Sequence, residues 1–372
     1  MIKVSRACVG QEELIEIKEA LEYGYFGLAY KVNEFEEEIK KYIAIDKEVV
    51  CCANGTSALH LALDALGIGP GDEVIVPSFT FVATAQAIMM VGATPVLCEI
   101  NKDNFLIDID DVKKKITNKT KAIIPVHYAG NVCDLDALLT IKSETGIRII
   151  EDAAHAFGSY YKGKRVGSIG DITCFSFDSI KVMTCGEGGA VVTSDKDLAE
   201  LMKQKRLLGI DRKTMHVKDW KQRSWMYDVK TIGYRYHMSN INAAIGLAQI
   251  KKVDGFISKR QHICDLYLKQ LKNIRGISFE KADWSVAAPF MFPVLIEDGK
   301  RDSVRDYLKS LDIETGISYI PLHRFGLFSD DSNKYPNTEY VFSKIICLPI
   351  HPNLTDENII AVCEGIKKAL NE

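Results

Sequence analysis

One pattern limits the folds open to this chain more than any other. Between residues 48 and 193, seven short β-prone runs (48–52, 74–76, 93–99, 122–126, 147–150, 172–177 and 190–193) alternate with stretches of helical period, clearest at 56–66 and 84–91. A strand that is apolar throughout is buried on both faces. Its parallel neighbour is reached only by a long crossover, usually a helix. The alternation therefore predicts an α/β domain: a mostly parallel sheet with helices on both sides.

The flanking segments extend this core. Apolar stripes in 10–23 (Leu14, Ile17, Leu21) and 32–43 (Phe35, Ile39, Tyr42) predict two amphipathic helices. The glycine- and aromatic-rich stretch 24–30 between them, which includes Phe26, predicts a covering loop. A helix is predicted at 196–209, a long polar and aromatic loop at 211–232, and one long helix from 239 into the 270s. Beyond 277, strands at 290–296 and 316–320 and helices at 301–311 and 355–370 predict a smaller α+β domain. The expected boundary is near residue 250, giving a large domain, 1–250, and a small one, 251–372.

Bulk properties exclude several functions. A net charge of −3 over 372 residues leaves no basic footprint for nucleic acid or a membrane surface. No apolar run reaches membrane-span length, and the first residues lack an apolar signal core, so a cytoplasmic setting is expected. Ten cysteines, mostly in apolar runs and without a C-x-x-C pair, predict reduced, buried thiols rather than a disulfide frame or zinc site. His60 and His127 have no partner at metal-ligand spacing, so no metal is expected.

The most informative stretch is 171–194, DITCFSFDSIKVMTCGEGGAVVTS. A glycine-rich turn between two strands presents Lys181 among Ile180, Val182 and Met183. Desolvation lowers a lysine's pKa and frees the lone pair that imine formation requires. A lysine paired with Asp178 or Glu187 fits the same local sequence. Further residues fall at strand ends, where open α/β sheets bind ligands. Asn54, Gly55, Thr56 and Ser57 open a helix, as either an N-cap or a phosphate cradle. Asp152 ends a strand as a carboxylate that must be paired when buried, by a protonated ring nitrogen or by an arginine. Phe81 follows a strand as a core residue or a stacking ring, and Ser176 as a core hydroxyl or a phosphate ligand. Pyridoxal phosphate uses all four features: lysine, carboxylate, aromatic face and phosphate cradle.

The stretches ANGTSALHLAL, GIGPGDEVIVPSFTFVATAQAI, IIEDAAHAFGSYYKGKRVGSIGD, FSFDSIK, GEGGAVVTSD, GYRYHMSNINAAIGLAQIKK and TGISYIPLH, in this order, resemble the DegT/DnrJ/EryC1/StrS family of sugar aminotransferases, within the fold type I pyridoxal-phosphate enzymes. The resemblance implies a large domain with a mostly parallel seven-stranded sheet sandwiched by helices, plus a smaller C-terminal α+β domain. It implies pyridoxal 5'-phosphate on Lys181, with Asp152 at the ring nitrogen, Phe81 over the ring and His155 near its hydroxyl. Gly55, Thr56, Ser57 and Ser176 fall on phosphate positions. Arg235 stands where relatives carry an asparagine that reaches the neighbouring subunit's phosphate, which implies a homodimer with shared sites. Substrate contacts are expected from Phe26, Tyr319 and His323. The implied reaction moves an amino group from L-glutamate to a nucleotide-linked keto sugar, for amino-sugar and surface-polysaccharide biosynthesis. A sugar dehydratase of the same fold carries histidine in place of the lysine, and Lys181 argues against it. A transaminase acting on other substrates shares the same catalytic residues.

Overall fold

The structure is a computed structural model and describes residues 1–211 and 227–371. Helices α1 (Gln11–Tyr23) and α2 (Tyr30–Ile43) lead into the alternating region. There β1 (Glu48–Cys52), β2 (Glu73–Pro77), β3 (Thr94–Cys98), β4 (Thr120–Ile123) and β5 (Arg148–Asp152) are joined through α3 (Gly55–Ala65), α4 (Val82–Met90), α5 (Ile109–Lys115) and α6 (Leu135–Thr145). A short ribbon, β6 (Tyr160–Tyr161) and β7 (Lys164–Arg165), precedes β8 (Ile172–Ser176), β9 (Gly189–Thr193) and α7 (Lys196–Lys205).

Seven of these strands form one sheet in the order β1-β9-β8-β5-β4-β2-β3. β9 runs antiparallel to both its neighbours, and every other adjacent pair is parallel. Alternate residues of each strand enter different cores, as the pleat requires. Val49, Cys51, Ile75, Ile123, Ile149 and Phe175 join one buried cluster with Phe35 of α2. Val50, Cys52, Val74, Val76, Ile150 and Cys174 join the other, with Leu59 of α3 and Ile88 of α4. Both faces are therefore covered, which is why the strands read as continuous apolar runs.

The second half departs from expectation in two places. The single helix expected from 239 is two, α8 (Asn240–Ile250) and α9 (Val253–Leu271), parted at Lys251 and Lys252; the pair β10 (Ile210–Asp211) and β11 (Asp228–Val229) precedes them. Then β12 (Ile277–Phe279), β13 (Phe292–Ile296) and β14 (Ile345–Leu348) form an antiparallel sheet with α10 (Arg301–Ser310), α11 (Pro336–Lys344) and α12 (Asp356–Asn371). The strand expected at 316–320 is reduced to one bridge, Gly316 to Cys347, because the chain turns into the site after it. The chain's first residues join this second half: Ile2 N–H donates to Asp312 O at 2.8 Å, and Ile350 N–H to Val4 O at 3.1 Å. Most of the loop expected at 211–232 lies outside the described residues.

The carboxyl ends of β1, β2, β5 and β8 share one edge of the large sheet. β9 begins at that edge, so the turn from β8 to β9 closes over it. Ser176, Gly189 and Cys52 lie side by side across neighbouring strands there.

Candidate active site

Four strand ends and one turn build the site. The turn after β8 delivers Lys181, which is partly buried and whose backbone N–H donates to Asp178 O at 3.1 Å. Its Nζ lies 4.3 Å from the centre of the Phe290 ring and has no hydrogen bond among the described residues. Burial pushes the amine down to about 8, against the opposing pull of Asp152 and Asp178. At mildly alkaline pH a large share of Lys181 is the uncharged nucleophile.

Asp152 closes β5 and is 6% exposed. Burial raises its pKa, opposed by a hydrogen bond from Thr84 Oγ1 (2.8 Å), one from Ala154 N–H (3.2 Å) and the charge of Lys181. Thr84 spends its proton on Asp152, so its contact with Thr80 Oγ1 at 2.9 Å has Thr80 as donor. The carboxylate is thereby aimed by a two-hydroxyl chain, yet its charge stays under-compensated. Beneath it, His127 Nε2 meets Glu151 Oε2 at 2.9 Å, and Cys133 N–H donates to His127 Nδ1 at 3.2 Å.

His155 is buried, and its pKa is pushed well down by burial and by the charge of Lys181, so the ring is neutral. Its Nε2 meets Tyr319 Oη at 2.9 Å, while its Nδ1 is buried without a partner among the described residues. Phe290 stacks on the other side of the imidazole, centroids 4.4 Å apart. Tyr319 also approaches Phe81, at 5.6 Å between rings. Phe81 heads α4 and is 53% exposed, whereas Phe79, two residues earlier, is core. The segment that failed to form a strand therefore serves to bring Tyr319 against His155 and Phe81.

The cradle lies at the start of α3. Asn54 is the N-cap and accepts from Ser57 N–H at 2.8 Å; Ser57 Oγ accepts from Asn54 N–H at 3.0 Å. The Ser57 hydroxyl is thus engaged in the capping box and buried. The N–H groups of Gly55 and Thr56 donate to nothing among the described residues. They form the positive end of an 11-residue helix. Gly55 is required by close approach: a Cβ there falls 2.8 Å from Ser176 Cβ. At Gly189 a Cβ would fall 2.3 Å from Asn54 O.

Two more predicted residues come out differently from one another. His323 is 2% exposed, with Nδ1 at 2.7 Å from Ser78 Oγ and Nε2 at 2.7 Å from Glu339 Oε1. Both ring nitrogens have partners within the chain. It links the 321–324 turn to the end of β2. Arg235 is exposed, on a segment that bridges Leu207, and is without a side-chain partner among the described residues. Phe26 is 47% exposed, and its carbonyl accepts from Asn240 N–H at 2.9 Å, so the 24–30 loop packs on the start of α8. Asn242 of that helix donates to Cys185 O at 2.7 Å, which sets the loop beside the Lys181 turn. Thr84 and Phe290 were missed by sequence reasoning. One looked like an ordinary helix residue, the other like part of a strand.

The pieces fit pyridoxal phosphate. An imidazole nitrogen without a partner among the described residues, a buried carboxylate of raised pKa, open helix N–H groups and an amine without a hydrogen bond all stand at strand ends or turns of the same edge of the sheet. A desolvated lysine whose pKa is lowered, together with a buried carboxylate at the carboxyl edge of a mostly parallel sheet, fits an enzyme that works through a lysine-bound carbonyl cofactor. A sequence model of the DegT/DnrJ/EryC1/StrS aminotransferase family matches residues 7–367, and the chain belongs to that family: it is a pyridoxal-phosphate-dependent aminotransferase. The chain is 41% identical to GDP-perosamine synthase of Escherichia coli O157:H7 over 317 residues, 85% of this chain and 84% of that protein. It is 34% identical to the spore coat polysaccharide biosynthesis protein SpsC of Bacillus subtilis over 372 residues, 96% and 94% of the two chains. Spr1654 from Streptococcus pneumoniae, solved in a PLP form, superposes with a TM-score of 0.92 at 30% identity, over 100% of this chain and 98% of that one.

Proposed function

We propose that this aminotransferase takes the amino group of L-glutamate and delivers it to the ketone of a nucleotide-linked deoxy sugar, supplying amino sugars for a surface polysaccharide. The observation that carries the reading is the Lys181 amine, desolvated and unpaired, facing Asp152. The named relatives, one a GDP-sugar enzyme and one a spore-coat polysaccharide protein, support the sugar class.

Bound pyridoxal phosphate supplies a ring that draws electrons from the carbon bearing the amine. The chain's own residues do the rest. Gly55 and Thr56 N–H groups and Ser176 hold the phosphate at the α3 N-terminus. Asp152, aimed by Thr84, keeps the ring nitrogen protonated, and that proton relieves its own desolvation. His155 Nδ1 holds the ring hydroxyl, and Phe81 covers one face. The Lys181 Nζ would take a proton from the carbon that bears the amine and return it at the neighbouring carbon. An amine near pKa 8 suits both directions of that transfer.

A homodimer with shared sites fits the same surface. Phe81, Ile180, Ile320 and Phe26 are each more than 40% exposed around the site, and Arg235 is exposed without a side-chain partner among the described residues. Arg235 of one protomer would meet the phosphate in the other through charge-assisted hydrogen bonds. Nine buried cysteines, all free, suit a reducing cytoplasm. The break between α8 and α9 supports a division of the chain near residue 250.

The test is the absorption spectrum of the holoprotein during a titration with L-glutamate, then with nucleotide-linked keto sugars. Loss of the visible band with glutamate, and its return with one such sugar, is expected. A band that glutamate leaves unchanged refutes the donor. A band bleached by glutamate that only simple keto acids restore refutes the sugar.

A further inference from the structure

Arg260 is the largest almost completely buried side chain among the described residues, at 2% exposed. It sits on α9, and no carboxylate neutralises it among the described residues. Burial alone drags its pKa down to about 10. Burying an unpaired charge is costly, so three carbonyls must be worth holding. Its Nη1 donates to Ile350 O (3.0 Å), Pro289 O (3.2 Å) and Phe290 O (3.4 Å). Phe290 N–H donates to Ala129 O at 2.9 Å. The backbone of Phe290 is thus gripped on both sides, from the start of the second half and from the loop after β4.

What the grip aims is the Phe290 ring. One face stacks on His155, 4.4 Å between centroids and 20° between planes, and the Lys181 Nζ lies 4.3 Å from its centre. The ring excludes water from the amine and offers its π face to the ammonium form. These two effects act in opposite directions on the proton.

We propose that Phe290 is a functional residue of this site, a wedge that fixes where the Lys181 amine rests and separates it from His155, and that the buried Arg260 is the positioning residue that holds the wedge. The inference rests on Lys181 being the cofactor lysine. The charged and titratable groups facing that amine are Asp152 from β5, Asp178 from its own turn and His155.

The two opposed effects give a test that a merely structural ring would not pass. The pH dependence of Lys181 acetylation is followed in the cofactor-free protein by competitive labelling with acetic anhydride and peptide mass spectrometry. Phe290→Leu keeps the amine dry but removes the π face, so the titration midpoint should fall by about half a unit to one unit. Phe290→Ala admits water, so the midpoint should rise by about one unit, and labelling at pH 7 should slow about tenfold. Arg260→Met keeps the bulk and drops the guanidinium donors to all three carbonyls; it should move the midpoint upward as Phe290→Ala does. Arg260→Lys, which keeps one charged donor, serves if the methionine variant does not fold. Opposite shifts for leucine and alanine support the wedge, and an unmoved midpoint in the leucine variant overturns it. An earlier melt with an unmoved midpoint in the Arg260 variants would leave Arg260 a fold staple and overturn its positioning role. A wild-type protein that forms no visible band with pyridoxal phosphate would instead sink the reading of Lys181 itself, whatever the midpoints do.

Discussion

Replacing Lys181 by methionine should stabilise the cofactor-free protein at neutral pH, by an amount that disappears in alkali. The amine is held near 8 against an ordinary value of 10.5. Below pH 8 both folded and unfolded chains carry the proton, and the folded one carries it at a loss. Between pH 8 and 10.5 only the unfolded chain binds it, so wild-type stability climbs with pH across that window. A gap of about 2.5 pH units corresponds to ~3.4 kcal/mol. With an unfolding entropy of about 2.1 cal/mol/K per residue, that is roughly 4 °C of melting temperature for a chain of this size. Thermal melts of wild type and Lys181→Met, run side by side from pH 7 to pH 10.5, read the difference directly. Other groups titrate in both proteins and largely cancel. The variant should lead by about 4 °C at pH 7 and lose that lead by pH 10.5. A difference independent of pH, or a wild type that melts later at pH 7, would refute the claim that the amine is desolvated.

Three further outcomes follow from the same geometry. Gly55→Ala drives a methyl to within 2.8 Å of Ser176 Cβ, and should weaken pyridoxal-phosphate binding about tenfold or more in an absorbance titration; adding Ser176→Gly should recover part of the loss. Thr84→Val removes a hydrogen bond to a buried carboxylate worth about 1.5–3 kcal/mol, so kcat should fall roughly 10–100-fold and the acid limb of the pH-rate profile should move up by about one to two units. Arg235→Ala should weaken cofactor binding about tenfold or more, with little change in the melting temperature of the cofactor-free protein, since the side chain is exposed and has no side-chain partner among the described residues.

Most of the sheet was legible because its strands are buried on both faces. Residues 48–52 read as a strand and are one, and each later strand lies within a few residues of its expected place. The break between α8 and α9 was not legible. Residues 249–254 contain no glycine or proline, and the helix is parted where its burial changes: α8 is enclosed nearly all round, while α9 buries one stripe, Val253, Phe256, Ile257, Arg260 and Ile263. Tyr319 lies where a strand was expected, and nothing local marks the chain's turn toward His155. The hydrogen-bond partners of His323 were not legible for a reason of distance in sequence. Its partners are Ser78, 245 residues away, and Glu339, 16 away, and only folding reveals that both nitrogens are occupied. The double use of Ser57 was visible in principle, since Asn54 and Ser57 stand at capping-box spacing. Phe290 carried no signal, because a ring at the start of a β-prone run reads as core.

The most direct test of the central claim is to locate the cofactor. The holoprotein is reduced with borohydride, digested, and searched by mass spectrometry for a phosphopyridoxyl lysine. The modification should lie on Lys181 and be absent from Lys181→Met. The same adduct on another lysine, or persistent labelling in the methionine variant, would contradict the assignment of Lys181 as the residue around which this site is built.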